Sequence, residues 1–175
     1  MTKKHKLLVT LVLLILVGGS AAAYYLCQPQ AAGPVMHTAE RERNKDTISV
    51  FFPEGPTKLA RKTVEFPRQL SDKERAEALF RELKEAKCIP DRLKFYELAV
   101  GQDGVLYLNV SKEFMDWSNP GREITMTYGI VNSFAESFKN TKSVQLLVEG
   151  EPVYTRSGLL YIFDPIPFNK DLLED

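Results

Sequence analysis

Three carboxylates stand where acid–base chemistry could take place, namely Asp103, Glu113 and Asp116. Two carboxyl groups can hydrolyse a glycosidic bond when both face one cleft and one is buried enough to keep its proton. Asp103 directly precedes Gly104 in a sequence typical of a hairpin turn, and Glu113 and Asp116 lie in an irregular segment. We therefore expect turn and surface roles for these side chains, and no enzymatic activity.

Nucleophilic or metal chemistry would need histidines or cysteines, of which the chain has two each. His5 and His37 precede the predicted folded domain, so neither can serve as a base inside it. Cys27 and Cys88 lack the spacing of a metal site, and we expect Cys88 to be a small buried residue at the end of a helix. The glycines form no phosphate-binding loop. The sequence thus predicts no catalytic residue, no metal site and no cofactor.

The charge distribution argues against a nucleic-acid partner. Basic and acidic side chains number 23 each among 175 residues, so the formal net charge is zero. Residues 1–43 carry five basic and two acidic side chains, which leaves a net charge of −3 on the remainder. Nucleic-acid binding needs a strongly basic face, which a mildly acidic domain does not provide.

The N-terminal residues predict the compartment. A basic start, residues 1–6, is followed by an uncharged segment that extends from Leu7 to Leu26. Twenty residues make a helix of about 30 Å, which is long enough to cross a bilayer. Because the lysines would stay in the cytoplasm, the pattern predicts a single-pass anchor in the cell membrane with the domain outside the cytoplasm.

Two alternatives to a retained anchor remain open. The segment also fits a cleaved signal peptide, with cleavage after Ala23. It could be a lipoprotein signal with Cys27 lipidated, but Leu26 stands where such signals carry a small residue and Tyr24 where they carry an aliphatic one. All three hypotheses place the domain in the periplasmic or extracytoplasmic space.

A flexible linker, residues 27–45, is predicted between this segment and the folded domain, because it contains prolines, a glycine and alternating charges without periodicity. The domain is predicted over residues 46–168 and is followed by an acidic tail, residues 169–175.

The first half of the domain predicts two strands and a helix. Residues 47–52 are rich in Ile, Val and Phe, and residues 58–66 alternate more loosely. Ser71, with Glu74 three residues later, forms a capping box that predicts the start of a helix.

The second half predicts a hairpin, a helix and a strand. Residues 94–100 and 105–110 are short strands joined by a Gly-Gln-Asp-Gly turn. Apolar residues recur every three or four positions over residues 124–138, and residues 143–148 are β-branched and aliphatic. An apolar segment, residues 159–163, could add a final strand. This order predicts an α+β fold in which a small mixed or antiparallel sheet carries two helices on one face.

Several of these pieces, taken in order, resemble the GerMN domain family over roughly residues 46–168. The matching strings are Ile48-Ser49-Val50-Phe51-Phe52-Pro53, Cys88-Ile89-Pro90, Asp103-Gly104-Val105-Leu106-Tyr107-Leu108-Asn109, the helix and strand of residues 124–148 with the turn Glu149-Gly150, and Ile162-Phe163-Asp164-Pro165-Ile166. Such domains occur in bacterial spore-germination lipoproteins of the GerM type and in other envelope lipoproteins. The resemblance implies a role near germination, sporulation or cell-wall processes, and it supplies no catalytic residues to carry over.

Aromatic residues provide the remaining candidate site. Phe114, Met115 and Trp117 lie together in an irregular segment, where aromatics either plug one end of the sheet or anchor a partner. We expect a binding or assembly domain of the bacterial envelope, with an envelope protein or a cell-wall polymer as partner. The alternatives are a wall-glycan or small-ligand receptor and, less favoured, a carboxylate-dependent hydrolase.

Overall fold

The computed structural model of the chain describes residues 45–116 and 120–173. Strands and helices follow one another there as β1 (Asp46–Glu54), β2 (Lys58–Phe66), α1 (Asp72–Glu85), β3 (Phe95–Val100), β4 (Val105–Val110), α2 (Glu123–Ser137), β5 (Ser143–Val148), β6 (Glu151–Pro152) and β7 (Ile166–Pro167). The predicted α+β class is confirmed, and strands β1 to β5 and helix α2 begin and end within two residues of their predicted bounds.

Helix α1 begins as its capping box predicts. The backbone N–H of Glu74 donates to the Ser71 hydroxyl at 3.4 Å, and the Ser71 N–H donates to the Glu74 carboxylate at 3.0 Å. These two bonds satisfy N–H groups that the first turn of a helix otherwise leaves unpaired. The chain leaves the helix through Lys87, which has a φ of 53°.

The strands form two sheets, whereas the sequence predicted one. β1 and β2 make an antiparallel hairpin of their own, with Asp46 opposite Phe66 and Glu54 opposite Lys58. The second sheet has the order β3-β4-β5-β6, and β7 also pairs with β5. β4 and β5 run parallel while the other pairs are antiparallel, so this sheet is mixed.

The separate hairpin exists because helix α2 occupies the free edge of β1. The N–H of Ser49 donates to the Ser137 hydroxyl at 3.0 Å, and the N–H of Phe51 donates to the Ser133 hydroxyl at 2.8 Å. Gly129 lies one turn earlier, where an added Cβ would come within 3.0 Å of the Phe51 carbonyl oxygen. Small residues at i, i+4 and i+8 thus bring the helix close enough to replace a strand.

The core lies between the helices and the second sheet. Phe134 of α2 packs edge-on against Phe80 of α1 at 5.9 Å and stacks on Phe138 at 5.7 Å. β4 buries Leu106 and its alternate neighbours and exposes Tyr107, as the predicted one-sided strand should.

The prediction of a final strand is wrong, and the predicted membrane anchor stays a prediction. Residues 159–163 form no strand, since the last strand is β7, which pairs with the start of β5. The predicted anchor, residues 7–26, lies outside the described residues. Among the residues that the structure describes, no helix is both long and apolar enough to span a bilayer.

Candidate partner-binding surface

The three carboxylates occupy turn and surface positions. The Asp103 carboxylate accepts a hydrogen bond from the Val105 N–H at 3.1 Å and so closes the hairpin turn. Asp116 is exposed and lies 3.6 Å from Arg92. A hydrogen bond from Ser111 lowers the pKa of Glu113, which is opposite to what a general acid requires.

Cys88 is buried, and its thiol is unreactive at neutral pH. Its side chain is fully enclosed, and Sγ lies 3.7 Å from the Met126 carbonyl oxygen. Burial raises the pKa of the thiol to about 12, so the nucleophilic thiolate is not populated at neutral pH. In the two described ranges, no three side chains of His, Cys, Asp or Glu form a group that could hold a metal ion.

The two predicted partner contacts that the structure describes differ in exposure. Phe114 is fully buried and belongs to the core, so its ring cannot touch a partner in this fold. Met115 follows it at the surface, with 36% of its area exposed. Trp117 lies outside the described residues. Of the pair that the structure describes, only Met115 can contribute to a binding surface.

A larger exposed aromatic group lies elsewhere, on residues 153–163, which we call the aromatic loop. Tyr154 stacks on Phe163 at 4.4 Å with an interplanar angle of 13°. The ring centre of Tyr161 lies 6.4 Å from that of Tyr154 and 6.3 Å from that of Phe163. Tyr154 is 64% exposed and Tyr161 58%, and Leu159 near the tip is 57% exposed. Two exposed tyrosine rings therefore lie next to the half-buried ring of Phe163 at the surface.

The base of the aromatic loop is fixed to the second sheet. The Ile162 N–H donates to the Tyr154 carbonyl oxygen at 2.8 Å, which closes the loop on itself. The side chain of Ile162 is fully buried, and its carbonyl oxygen accepts from the Gln145 amide of β5 at 3.4 Å. The exposed rings thus flank a residue that is anchored in the core.

A buried carboxylate holds the other side of the loop. Glu123, at the start of α2, is fully enclosed and accepts from the N–H groups of Arg156 and Ser157, each at 3.3 Å, and from the Ser157 hydroxyl. A negative charge is favoured there because the helix N-terminus carries partial positive charge. Several donors converge on this carboxylate, as a buried charge requires.

Arg156 links the aromatic loop to the segment that the sequence singled out. Its guanidinium lies over the Phe114 ring, 5.1 Å from the ring centre, in cation–π geometry. Burial lowers the pKa of Arg156 to about 10, an effect that the negative charge of Glu123 opposes, so the group remains cationic at neutral pH. Phe114 therefore supports the loop from beneath.

Sequence reasoning missed the aromatic loop because it treated residues 153–158 as a plain loop and assigned the apolar residues 159–163 to a possible strand. The available signal was the large number of apolar residues in a short segment between two prolines, namely Tyr154, Leu159, Leu160, Tyr161 and Phe163. Glu123 was missed because a glutamate in the first turn of a helix is usually solvated.

The comparisons with known proteins agree with the fold. Residues 49–154 match the family described as Germane, sporulation and spore germination, which confirms the predicted resemblance to GerMN domains. No curated protein matches the chain.

Solved structures that match the chain do so at low sequence identity, as two of them show. The tandem GerMN domains of the sporulation protein GerM from Bacillus subtilis share 13% identity with a TM-score of 0.50, over 72% of this chain and 45% of that one. The first GerMN domain of the same protein shares 15% identity with a TM-score of 0.44, over 72% of this chain and 96% of that one. The chain thus spans less than half of the tandem protein.

Proposed function

Because the chain belongs to the sporulation and spore germination family that its residues 49–154 match, we propose that it is a non-enzymatic binding and assembly module of the bacterial cell envelope. It is tethered to the cell membrane through residues 7–26, with the domain outside the cytoplasm. Its partner is an envelope protein that binds the aromatic loop, and its role lies in sporulation, germination or a related cell-wall process.

The observation that carries this proposal is the exposure of Tyr154 and Tyr161, which lie against the half-buried Phe163 on a loop that is held at both sides. Aromatic side chains bury large areas and dominate the energy of protein interfaces. An exposed apolar patch of this kind marks an interaction site on a soluble domain. Because Glu123 and Ile162 fix the loop beforehand, a partner loses little free energy in ordering it.

The surroundings of the candidate acids and nucleophile support a role without catalysis. Asp103 is occupied by its turn, Asp116 faces Arg92, and the Cys88 thiol is enclosed and protonated. Glu123 is enclosed as well, and its oxygens accept bonds from the loop itself. These groups support the fold, and the exposed surface is left to binding.

The test places a photoreactive residue at position 159 of the full chain in native membranes, since Leu159 is exposed in the same loop and is not one of the substituted tyrosines. We expect one envelope protein to be crosslinked there, and expect Tyr154→Ser with Tyr161→Ser to lower recovery of that complex at least tenfold. Tyr107→Ser is the matched control, because Tyr107 is an exposed tyrosine on β4 outside the loop. All variants are compared by thermal unfolding.

Two outcomes would change the proposal. Equal recovery of the complex with the double variant and with the control would refute binding through the aromatic loop. Crosslinks to wall fragments in place of a protein would favour the alternative, a wall-glycan receptor that stacks sugars on the same rings.

A further inference from the structure

Strand β3 is an edge of the second sheet, and its outer backbone groups face away from β4. Within the described part of the chain, the sheet order gives β3 only β4 as a neighbour. The N–H of Gly101 donates to the carbonyl oxygen of Val105 at 2.8 Å, so the backbone groups of Gly101 face β4. Inward-facing and outward-facing residues alternate along an antiparallel strand, so Leu98 and Val100 direct their N–H and C=O groups outwards.

The two edges of the first sheet are protected in ways that β3 is not. The free edge of β1 is bonded to serine hydroxyls of α2. β2 carries several charged residues, and its start is bridged at Leu59 to Leu173. Proteins commonly protect edges by charge or by cover. β3 has Glu97 as its one charge and has no proline, and a bulge between Phe95 and Glu97 leaves residues 97–100 as the regular stretch.

A groove of about 500 Å³ runs along this edge. All six residues of β3 line it, and the start of α1 forms the opposite wall with Asp72 and Lys73. A second hollow of about 490 Å³ shares Asp72 and Val100, so the groove continues past the end of the strand. Six extended residues span about 20 Å, which matches a strand of this length.

The charges of the groove indicate what would lie in it. Glu97 is on the strand and Asp72 on the wall, and Lys73 lies 3.9 Å from the Glu77 carboxylate, which offsets part of its charge. Glu97 lies on the opposite face of the strand from Leu98 and Val100, where its carboxylate also accepts a hydrogen bond from the Asn109 amide at 3.3 Å, so this edge is acidic on one face and apolar on the other. An acidic face at an open strand edge complements an extended segment that carries a basic side chain.

We propose that β3 is a strand-addition site that binds an extended peptide segment of a partner protein. The segment pairs its backbone with Leu98 and Val100, and places a lysine or arginine next to Glu97. This surface shares no residue with the aromatic loop, so it is a second interface and stands independently of the first.

The test pans a displayed library of random octapeptides on the purified full-length protein. We expect enriched peptides to alternate apolar residues and to contain a lysine or arginine. Val100→Pro removes an outward N–H while leaving the bonds to β4, and proline is tolerated at such edge positions. We expect it to weaken binding at least tenfold, whereas Val100→Thr, which keeps the N–H, should bind within about twofold of the wild type. Glu97→Gln should weaken binding and reduce its dependence on salt.

Amide hydrogen exchange of the wild-type complex makes the test independent of the folding of the proline variant. Bound peptide should slow exchange of the Leu98 and Val100 amides. The proposal is overturned if no peptide is enriched, if these amides gain no protection, or if folded Val100→Pro binds as well as Val100→Thr. It is also overturned if sedimentation shows a dimer that Val100→Pro dissociates, since the occupant would then be a second copy of this chain.

Discussion

Replacing Gly129 by alanine tests how closely α2 must approach β1. An added Cβ would lie 2.5 Å from Cys88 Sγ and 3.0 Å from the Phe51 carbonyl oxygen. Non-bonded heavy atoms prefer separations of about 3.5–4.0 Å, so the sulfur and the new methyl must move apart by at least about 1 Å. The backbone oxygen of Phe51 belongs to a paired strand and cannot move away freely.

The expected loss of stability is the sum of two destabilising effects and one stabilising effect. Inserting a methyl group into a packed core costs about 1–3 kcal/mol, and the 2.5 Å contact indicates the upper end of that range. Moving the helix away also weakens the bond from the Phe51 N–H to the Ser133 hydroxyl, at a cost of about 1 kcal/mol. Alanine offsets about 1 kcal/mol because it is the better helix former. We expect Gly129→Ala to lower the free energy of unfolding by about 2–4 kcal/mol.

Urea unfolding of the full chain, followed by circular dichroism, measures this value, and a double-mutant cycle with Cys88→Ala tests its cause. Cys88→Ala removes the sulfur but leaves the contact with the Phe51 oxygen, so it should restore part of the loss. We expect a coupling energy of about 1–2 kcal/mol. Gly129→Ala that is as stable as the wild type, or two effects that add within about 0.5 kcal/mol, would refute the reasoning.

Three further predictions concern single side chains. Ser133→Ala leaves the Phe51 N–H buried without its acceptor and should lower the free energy of unfolding by about 1–3 kcal/mol in the same assay, whereas an unchanged midpoint would argue against the edge contact. The pKa of Glu74 is lowered to about 2, chiefly by its hydrogen bond with Arg68, from a usual value of 4.5. The stability that this carboxylate contributes is complete above the unfolded pKa and is lost as the pH falls towards 2. The difference in melting temperature between wild type and Glu74→Gln should therefore narrow from pH 6 to pH 2. A constant difference would contradict this explanation. Glu123→Ala leaves the N–H groups of Arg156 and Ser157 without this acceptor and should lower the free energy of unfolding by about 2–4 kcal/mol. It should also speed proteolysis within residues 153–163. Cleavage of the variant at the wild-type rate would exclude Glu123 as the loop anchor.

The elements that sequence predicted well are those specified by neighbouring residues. The capping box of Ser71 and Glu74 acts over three positions and gave the start of α1 correctly. The Gly-Gln-Asp-Gly turn acts over four and gave the hairpin of β3 and β4. Periodic apolar residues gave α2 to within one residue.

The division into two sheets could not be predicted because it depends on polar contacts distant in sequence. Ser133 and Ser137 interact with residues more than eighty positions away, and an analysis of apolar periodicity ignores serines. The Ser133 hydroxyl also donates to the Gly129 carbonyl oxygen at 2.6 Å, a common local bond that hides its second role. A search for small residues at four-residue spacing on α2 would have found this face.

The arrangement around the aromatic loop distinguishes a binding surface from a cover for the core. A loop that merely covered the core would turn its rings inwards, as the ring of Phe114 is turned. Here the chain alternates instead: Tyr161 is exposed, Ile162 is fully buried, and the ring of the exposed Tyr154 stacks on the half-buried Phe163. Enclosing Glu123 costs free energy of desolvation, and the donors that compensate it belong to the loop. Glu123 and Ile162 hold in place exposed rings that do not pack in the core. Binding of a partner to these rings explains both their exposure and the enclosed charge.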